Sequence, residues 1–169
     1  MTGSTADRRI RLATDADWPS TWPIFRAVVA EGETYAYPED LTSEQAADLW
    51  MERPPGETVI LEEGGEILGT AKYGPNRPGR GSHVGTASFM VSDGARGRGV
   101  GRALAEHVVE RLREQGFRGI QFNAVVETNT VAVRLWQDLG FRIIGTVPEA
   151  FDSASHGLVG LHVMYRNLT

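Results

Sequence analysis

The chain contains no cysteine among its 169 residues. This absence excludes disulfide bonds, thiolate metal sites and a cysteine nucleophile, and it leaves the redox compartment open. Lysine is almost missing as well, because Lys72 stands alone and the remaining basic side chains are arginine and histidine. Schiff-base chemistry would therefore have a single candidate, in a stretch with the pattern of a strand. The histidines have no convincing set of partner ligands, and we predict no metal site.

Long apolar runs are also missing from the chain. No segment approaches the roughly 18 apolar residues of a membrane-spanning helix, and we expect no signal peptide. We therefore expect a cytoplasmic protein with no membrane partner. The net charge of -5 argues against a general affinity for nucleic acid. With 41% hydrophobic and 23% charged residues, the composition is typical of one globular domain over residues 1–169.

Strand-like and helix-like periodicities alternate along the whole chain. Strands are predicted over residues 8–13, on both sides of Gly64-Gly65 within 57–73, and over 83–91, 119–126, 141–147 and 158–168. Helices are predicted over about 22–31, 43–52, 99–115 and 129–139. The first helix is placed from Trp22 because Pro19 and Pro23 suit early helical positions rather than an interior. Residues 73–82 form a long loop rich in proline and glycine, and such loops are often functional.

The densest motif is ARGRGVGRAL, residues 95–104, where three arginines and three glycines separate a predicted strand from a helix. Unpaired backbone N–H groups and the positive end of the helix dipole favour a phosphate at such a place. A dinucleotide-binding loop would need G-x-G-x-x-G after an early strand, and a P-loop would need Gly-Lys-Ser/Thr. Neither pattern is present. From spacing alone, a surface turn with solvated arginines stays the alternative.

The pattern that remains is Arg-x-x-Gly-x-Gly, filled by Arg96, Gly99 and Gly101. Together with NTVAVRLWQDLGF, residues 129–141, and the order of the elements, it resembles the GNAT superfamily of acetyltransferases over nearly the whole chain. The resemblance implies a single-domain α/β (α+β) fold with a mixed, mostly antiparallel sheet of about seven strands and about four flanking helices. It also implies N-acetyl transfer with acetyl-CoA as the acyl donor.

The same resemblance implies which residues hold acetyl-CoA. The end of the fourth strand would bind the pantetheine arm like an added strand, and backbone amides of the glycine-rich turn would wrap the pyrophosphate. The implied residues are Phe89, Met90, Val91, Arg96, Gly97, Arg98, Gly99, Val100, Gly101, Arg102 and Asn129. A helix N-cap is a compatible structural role for Asn129. A backbone N–H near Met90 would stabilise the developing oxyanion.

The sequence leaves the catalytic acid and base unassigned. Trp136 occupies the place of the tyrosine that many family members use as general acid, and Ala124 that of a glutamate base found in some. Proximity and orientation, with protons carried by water, are therefore the expected sources of catalysis. His83 and Glu127 remain candidate bases. Their ordinary alternatives are a polar residue at a strand end and a solvated carboxylate near a helix start.

Three further segments give information on the acetyl acceptor. They are QFNAVVETN, the Leu-Trp pair within residues 129–141, and GTVPEAF after the sixth strand. This combination resembles the azetidine-carboxylate, or proline-analogue, N-acetyltransferases, in which an asparagine of the fifth strand binds the acceptor near its carboxylate. Asn123 matches that asparagine, and a buried amide satisfied by the backbone is the structural alternative. Tyr35 and Tyr37 would line the acceptor pocket or pack in the core.

The expected acceptor is therefore a small-molecule amine, such as an amino acid or an analogue. Two other functions stay open. One is acetylation of protein N-termini or lysines by an enzyme of the same fold, and the other is a non-catalytic acyl-CoA-binding module. The resemblance also allows a homodimer, although no segment of the sequence indicates an interface.

Overall fold

A computed structural model describes residues 7–169, so the first six residues of the predicted domain lie outside the described part. One sheet contains seven strands in the order β1-β2-β3-β4-β5-β7-β6. Their bounds are β1 Arg8–Leu12, β2 Glu57–Glu63, β3 Glu66–Pro75, β4 Val84–Val91, β5 Gly119–Val126, β6 Arg142–Ser153 and β7 Gly157–Asn167. Neighbouring strands are antiparallel except β4 and β5, which are parallel. The predicted mixed, mostly antiparallel sheet is confirmed.

Four α-helices flank the sheet within residues 7–169: α1 Trp18–Glu31, α2 Ser43–Trp50, α3 Val100–Glu114 and α4 Thr130–Asp138. The predicted start of α1 near Trp22 is wrong, because the helix begins at Trp18 and encloses Pro23. Pro23 gives up one hydrogen bond near the helix start. The indoles of Trp18 and Trp22 pack with the ring of Phe25 at centroid distances of 6.0 to 6.1 Å, which favours the helical conformation despite that loss.

The two faces of the sheet carry separate apolar clusters. On one face α3 buries its four-residue repeat, and Val100, Leu104, Val108 and Leu112 are at most 1% exposed. On the other face α1 and α2 pack Phe25, Trp50 and their neighbours against the sheet. These three helices therefore each present an apolar face to the sheet. No helix in the described part of the chain is long and apolar enough to cross a membrane.

The centre of the sheet is split. β4 and β5 pair at only two positions, Val84 with Gly119 and Gly85 with Ile120, and then share no further register. Because parallel strands need evenly spaced hydrogen bonds to stay together, the two strands diverge beyond Gly85. A wedge-shaped gap results, with the rest of β4 on one side and the rest of β5 on the other. We call it the β4–β5 gap.

Candidate active site

Alternate residues of β4 turn their backbone groups toward the β4–β5 gap. Ser92 N donates to Leu68 O and Asn76 N donates to Val84 O, which sets the ladder between β3 and β4. Since hydrogen-bonded pairs alternate in an antiparallel ladder, the N–H and C=O groups of Thr86, Ser88 and Met90 face β3. Those of Ala87, Phe89 and Val91 face the gap. Met90 itself, which the sequence placed near the oxyanion, therefore has its own N–H engaged in the sheet.

The turn between β4 and α3 presents a set of free backbone donors. Among the described residues, no acceptor pairs with the N–H groups of Gly97, Gly99, Val100, Gly101 and Arg102. Gly97 and Gly99 have φ angles of 77° and 76°, and a Cβ at either would meet no protein atom within 4 Å. Five donors converge where the positive end of the α3 dipole lies, and the space beside the two glycines is open. These features fit a diphosphate, and we call the turn the donor cradle.

The three arginines of the donor cradle are not solvated cations. Each of the three is already paired with a carboxylate from a distant element: Arg96 with Glu31 at 2.6 Å, Arg98 with Glu63, and Arg102 with Asp138 at 3.1 Å. Arg96 binds both oxygens of Glu31, and these hydrogen bonds raise the pKa of its guanidinium. The side chains therefore tie the turn to α1, β2 and α4. The unpaired hydrogen-bonding capacity of the cradle lies mainly in its backbone.

A cavity of about 470 Å³ opens beside the first half of β4. Its walls are formed by residues 86–88 of β4, residues 72–78 of β3 and the following loop, the turn between α2 and β2, Tyr37 and Asn123. Three basic side chains line it, and the single carboxylate among its lining residues belongs to Glu52. We call it the acceptor cavity. Phe89 lies on β4 between this cavity and the donor cradle.

Asn123 lies in the acceptor cavity, but not as a buried residue. The structural alternative of a buried amide is wrong, because Asn123 and Ala124 are exposed. The cause is a β-bulge: Phe122 pairs with Met164 and Val125 with His162, so two residues of β5 oppose one of β7. The bulge turns the amide of Asn123 outward, where it donates to Asn76 Oδ1 at 2.7 Å.

Comparison with known protein families identifies the family that has these features. Residues 18–141 match the family model described as the Acetyltransferase (GNAT) family. The chain belongs to the GNAT acetyltransferase family. It is accordingly an acetyltransferase, and acetyl-CoA is its acyl donor. The fold, the enzyme class and the donor implied by the sequence are thereby confirmed.

Individual relatives narrow the acceptor without fixing it. The chain is 35% identical over 150 residues to the L-methionine sulfoximine/L-methionine sulfone acetyltransferase of Pseudomonas aeruginosa, covering 83% of each protein. It is 30% identical over 140 residues to N-acetyltransferase aca1 of Schizosaccharomyces pombe, covering 74% of this chain and 67% of that one. A GCN5-related N-acetyltransferase structure from Kribbella flavida superimposes with a TM-score of 0.92 at 58% identity, covering 95% of this chain and 97% of that one. These names do not confirm the azetidine-carboxylate subgroup.

Neither candidate base of this GNAT protein lines the acceptor cavity. His83 is exposed just before β4, at the end of the strand where β4 and β5 are still paired. Glu127 Oε1 accepts a hydrogen bond of 2.6 Å from Gly160 N, and Glu127 N donates to Gly160 O at 3.0 Å. Its carboxylate thus extends the contact between β5 and β7. Both placements favour the ordinary roles that the sequence left open for these residues.

Three other residues of the GNAT motifs have packing or capping contacts. Trp136 is 8% exposed, and its ring packs at 4.9 Å from that of Phe89 and 4.6 Å from that of Phe122. The indole is therefore part of the apolar cluster on the α3 face of the sheet. Asn129 is the N-cap of α4, and its side chain accepts from Ala132 N at 3.3 Å. The N-cap role expected for Asn129 is confirmed, and contact with the donor stays a prediction.

Four polar residues that line the acceptor cavity have no predicted role in acceptor binding: Glu52, Asn76 and Arg77 are new, and the sequence singled out Lys72 only for Schiff-base chemistry. Lys72 Nζ lies 3.5 Å from Glu52 and donates to Leu49 O at 2.7 Å. Arg77 is exposed and forms no ion pair with a carboxylate among the described residues. The proline- and glycine-rich loop was the available signal, since it holds Asn76 and Arg77. Its spacing gave no information on what the loop would face.

Proposed function

We propose that this GNAT protein acetylates the amine of a small molecule that also carries a carboxylate, such as an amino acid or an analogue. The observation that carries the proposal is the acceptor cavity of about 470 Å³, which lies against β4 and is lined by Lys72 and Arg77. Pockets for small ligands fall in this size range, and a few polar groups fix the ligand's orientation. The named substrate of the Pseudomonas aeruginosa relative, methionine sulfoximine, supports the same class.

The cations of the cavity favour the carboxylate end of the acceptor. Arg77 has no carboxylate partner among residues 7–169, so its guanidinium can take two oxygens of a ligand. Asn123 and Asn76 lie beside it and offer amide N–H groups. A carboxylate held there would place the neighbouring amine toward Ala87 and Ser88 of β4. The predicted role of Asn123 in acceptor binding is kept in this arrangement.

The acyl donor would lie along β4 from the donor cradle to the acceptor cavity. The cradle would hold the diphosphate by backbone N–H groups, and the gap-facing groups of Phe89 and Val91 would bind the pantetheine arm like an added strand. The side chains of Arg96, Arg98 and Arg102 would contribute charge from their ion pairs. Met90, Val100 and Asn129 would frame this path, Met90 through its buried side chain.

The chemistry balances without a covalent enzyme intermediate. The acceptor nitrogen forms a bond to the thioester carbonyl carbon, the carbon–sulfur bond breaks, and the proton lost by the amine reaches the leaving thiolate. Glu52 supplies the one carboxylate among the residues that line the cavity, and it would relay that proton through water. Alignment of amine and thioester along β4 supplies the main rate gain. A gap-facing N–H of β4 would stabilise the charge that develops on the carbonyl oxygen.

A thiol-release assay with acetyl-CoA tests the proposal. The acceptors are amino acids, methionine sulfoximine, methionine sulfone, the decarboxylated amine matched to each amino acid, and short peptides. We expect release with one or more carboxylate-bearing small amines and a loss of at least about tenfold in kcat/KM for the matched amine. Arg77→Met should remove that discrimination. Arg80→Met is the control, since Arg80 lies in the same loop but does not line the cavity.

Other results would reject the acceptor class. Release with peptides in preference to free amino acids would show a protein or peptide N-acetyltransferase. Binding of acetyl-CoA without release under any amine would show a non-catalytic acyl-CoA-binding module. Equal turnover of an amino acid and its decarboxylated amine would leave the cations of the cavity without a role in recognition.

The proposal includes a homodimer formed along β6. Residues 142–150 of this edge strand are all exposed, and Ile144 and Val147 are 54% and 53% exposed. A long edge strand with exposed aliphatic side chains pairs readily with a second copy of itself. Light scattering should give twice the chain mass of 18.5 kDa. Ile144→Asp should shift it to the monomer, and a monomeric wild type would reject the dimer. The cytoplasmic location stays a prediction.

A further inference from the structure

The hydroxyl of Tyr35 forms hydrogen bonds with both the backbone N–H and the backbone C=O of Phe89. It accepts a hydrogen bond of 2.8 Å from Phe89 N and donates one of 2.6 Å to Phe89 O. Tyr35 belongs to the loop between α1 and α2, which contributes no strand to the sheet. Phe89 is the middle one of the three β4 residues that face the gap. A side chain therefore occupies the position where a strand partner would otherwise bind.

Phe89 N–H is also the donor best placed for the thioester oxygen. An acetyl-CoA molecule that extends from the donor cradle to the acceptor cavity passes Val91 first and Phe89 next. Because a strand rises about 3.4 Å per residue, the N–H of Phe89 lies roughly 7 Å beyond that of Val91, beside the cavity wall at Ser88. The reacting carbonyl must lie where the acceptor amine can reach it. This position depends on the donor path given under Proposed function.

We propose that the Tyr35 hydroxyl and the thioester oxygen of acetyl-CoA are alternative partners of Phe89 N–H, so that Tyr35 must swing out of the gap before transfer. The hydroxyl oxygen holds the N–H in the geometry that a carbonyl oxygen would use. The two oxygens cannot both lie in that place. Tyr35 thereby sets the affinity for the acyl group separately from the affinity for the rest of CoA.

A space exists into which the ring can move. A second cavity of about 240 Å³ lies behind Tyr35 and Tyr37, bounded by the end of α1 and by Ala150, Phe151 and Asp152 of β6. Tyr37 lines both this cavity and the acceptor cavity, and the two rings stack at 5.7 Å with 20° between their planes. Tyr37 thus lies between the two spaces, with Tyr35 stacked on it. Rotation of Tyr35 into the second cavity would open the gap without unfolding the loop.

The start of the loop between α1 and α2 is fixed by hydrogen bonds to another part of the chain. Tyr35 itself is held mainly by its hydrogen bonds to Phe89 and by its ring contacts. Glu33 accepts from Ser153 Oγ at 2.6 Å and from Ser155 N at 2.9 Å, and Ala154 N donates to Gly32 O at 2.9 Å. These bonds anchor residues 32–33 to the turn between β6 and β7. Burial raises the pKa of Tyr35 above its ordinary value, so the hydroxyl stays protonated at neutral pH and keeps its donor bond to Phe89 O.

Calorimetric titration of the full chain with acetyl-CoA and with CoA tests the inference, because CoA has no acyl oxygen. Tyr35→Phe removes the hydroxyl that competes for Phe89, so the Kd of acetyl-CoA should fall about fivefold while that of CoA changes less than about twofold. Tyr165→Phe is the control. Tyr165 lies on β7, lines neither cavity, and its hydroxyl has no partner among the hydrogen bonds of the described residues. It should leave both Kd values unchanged.

An unchanged or raised Kd of acetyl-CoA in Tyr35→Phe would overturn the inference. A lower kcat with the Kd unchanged would overturn it too, because Tyr35 would then act in the chemical step. A wild type that binds neither ligand would instead reject the donor path itself, which separates the two proposals.

A measurement on the unmutated chain covers the case in which Tyr35→Phe fails to fold. The protein has four tyrosines, and 3-fluorotyrosine labelling gives one fluorine signal for each. Tyr37→Phe, Tyr73→Phe and Tyr165→Phe assign the signal of Tyr35 by elimination. Acetyl-CoA should move that signal strongly and CoA weakly. A signal that neither ligand moves would contradict the displacement of Tyr35.

Discussion

Asn123 donates a hydrogen bond of 2.7 Å from its Nδ2 to Oδ1 of Asn76. Asn123 lies on β5 and Asn76 follows β3, so the two amides meet across β4 at the mouth of the acceptor cavity. Asn123 Oδ1 accepts at 2.9 Å from Gln121 Nε2, which fixes the orientation of the amide. A primary amide has two N–H groups, so one donor of Asn123 is left for a ligand. Asn123 therefore keeps one N–H donor at the mouth of the acceptor cavity.

The first prediction concerns that donor. Asn123→Ala should raise the KM of the carboxylate-bearing acceptor about tenfold, since a hydrogen bond to a charged group is lost, and should leave kcat nearly unchanged. The KM of acetyl-CoA should stay within about twofold. Asn167→Ala serves as the control, because Asn167 is an asparagine of the neighbouring strand β7 that does not line the cavity. A larger change in the KM of acetyl-CoA than in that of the acceptor would contradict the assignment.

The second prediction separates stability from binding at Gly101. A Cβ there would lie 3.7 Å from Val91 Cγ2 and 4.0 Å from Leu135 Cδ2, which is ordinary contact. Alanine in the first turn of α3 should therefore raise the free energy of unfolding by about 0.5–1 kcal/mol. The same methyl would narrow the opening between the end of β4 and α4. Gly101→Ala should thus weaken acetyl-CoA binding while the melting temperature rises.

Gly94→Ala is the control for the second prediction. Gly94 lies in the same connection between β4 and α3, has no positive φ, and would place its Cβ more than 4 Å from any neighbour. It should change acetyl-CoA binding by less than about twofold. An unaltered affinity of Gly101→Ala for acetyl-CoA would show that the bound acetyl-CoA does not pass beside α3.

Local patterns predicted the parts of the fold that local interactions decide. Val100, Leu104, Val108 and Leu112 recur every four residues, which predicts the face of α3 that is buried. Thr42 with Gln45 three residues later has the spacing of a capping box, which predicts the start of α2. Spacing also placed the glycine-rich turn between a strand and a helix. In each case the neighbours that matter lie within a few positions along the chain.

Long-range partners could not be predicted in the same way. The carboxylates that pair with Arg96, Arg98 and Arg102 lie 65, 35 and 36 positions away. Only the packing of α1, β2 and α4 around the turn brings them there, so a stretch that looked rich in free charge is largely paired. The bulge that exposes Asn123 likewise depends on its register with β7. The acceptor cavity could not be predicted from the sequence because its walls come from five separate segments.

The third prediction concerns Glu127. Because its Oε1 accepts from Gly160 N, Glu127→Gln keeps an oxygen in that place and should leave kcat and its pH profile within about twofold of the wild type. Glu127→Ala removes the acceptor and should lower the free energy of unfolding by about 1–3 kcal/mol. Chemical denaturation and steady-state kinetics measure the two effects. A loss of kcat beyond about tenfold in Glu127→Gln would restore Glu127 as a general base.

The last prediction rests on an ion pair far from the site. Arg11 Nη1 and Nη2 each lie 2.8 Å from an oxygen of Asp17, whose side chain is 12% exposed, and Thr14 N also donates to that carboxylate at 2.7 Å. The hydrogen bonds from Arg11 are the main cause that lowers the pKa of Asp17 from 3.8 to about 2. A depressed carboxylate pKa stabilises the fold above pH 4, and that contribution is lost as the pH falls from about 4 to about 2.

Asp17→Asn should therefore lower the free energy of unfolding at pH 7 by about 2 kcal/mol, and its difference from the wild type should shrink as the pH falls from about 4 to about 2. Urea denaturation over that pH range measures both. Asp15→Asn is the control: the carboxylate of Asp15 lies 3.5 Å from Arg53, both side chains are 78% exposed, and such a pair contributes little. Curves for Asp17→Asn and wild type that run parallel through this range would show that the Arg11 pair does not couple folding to pH.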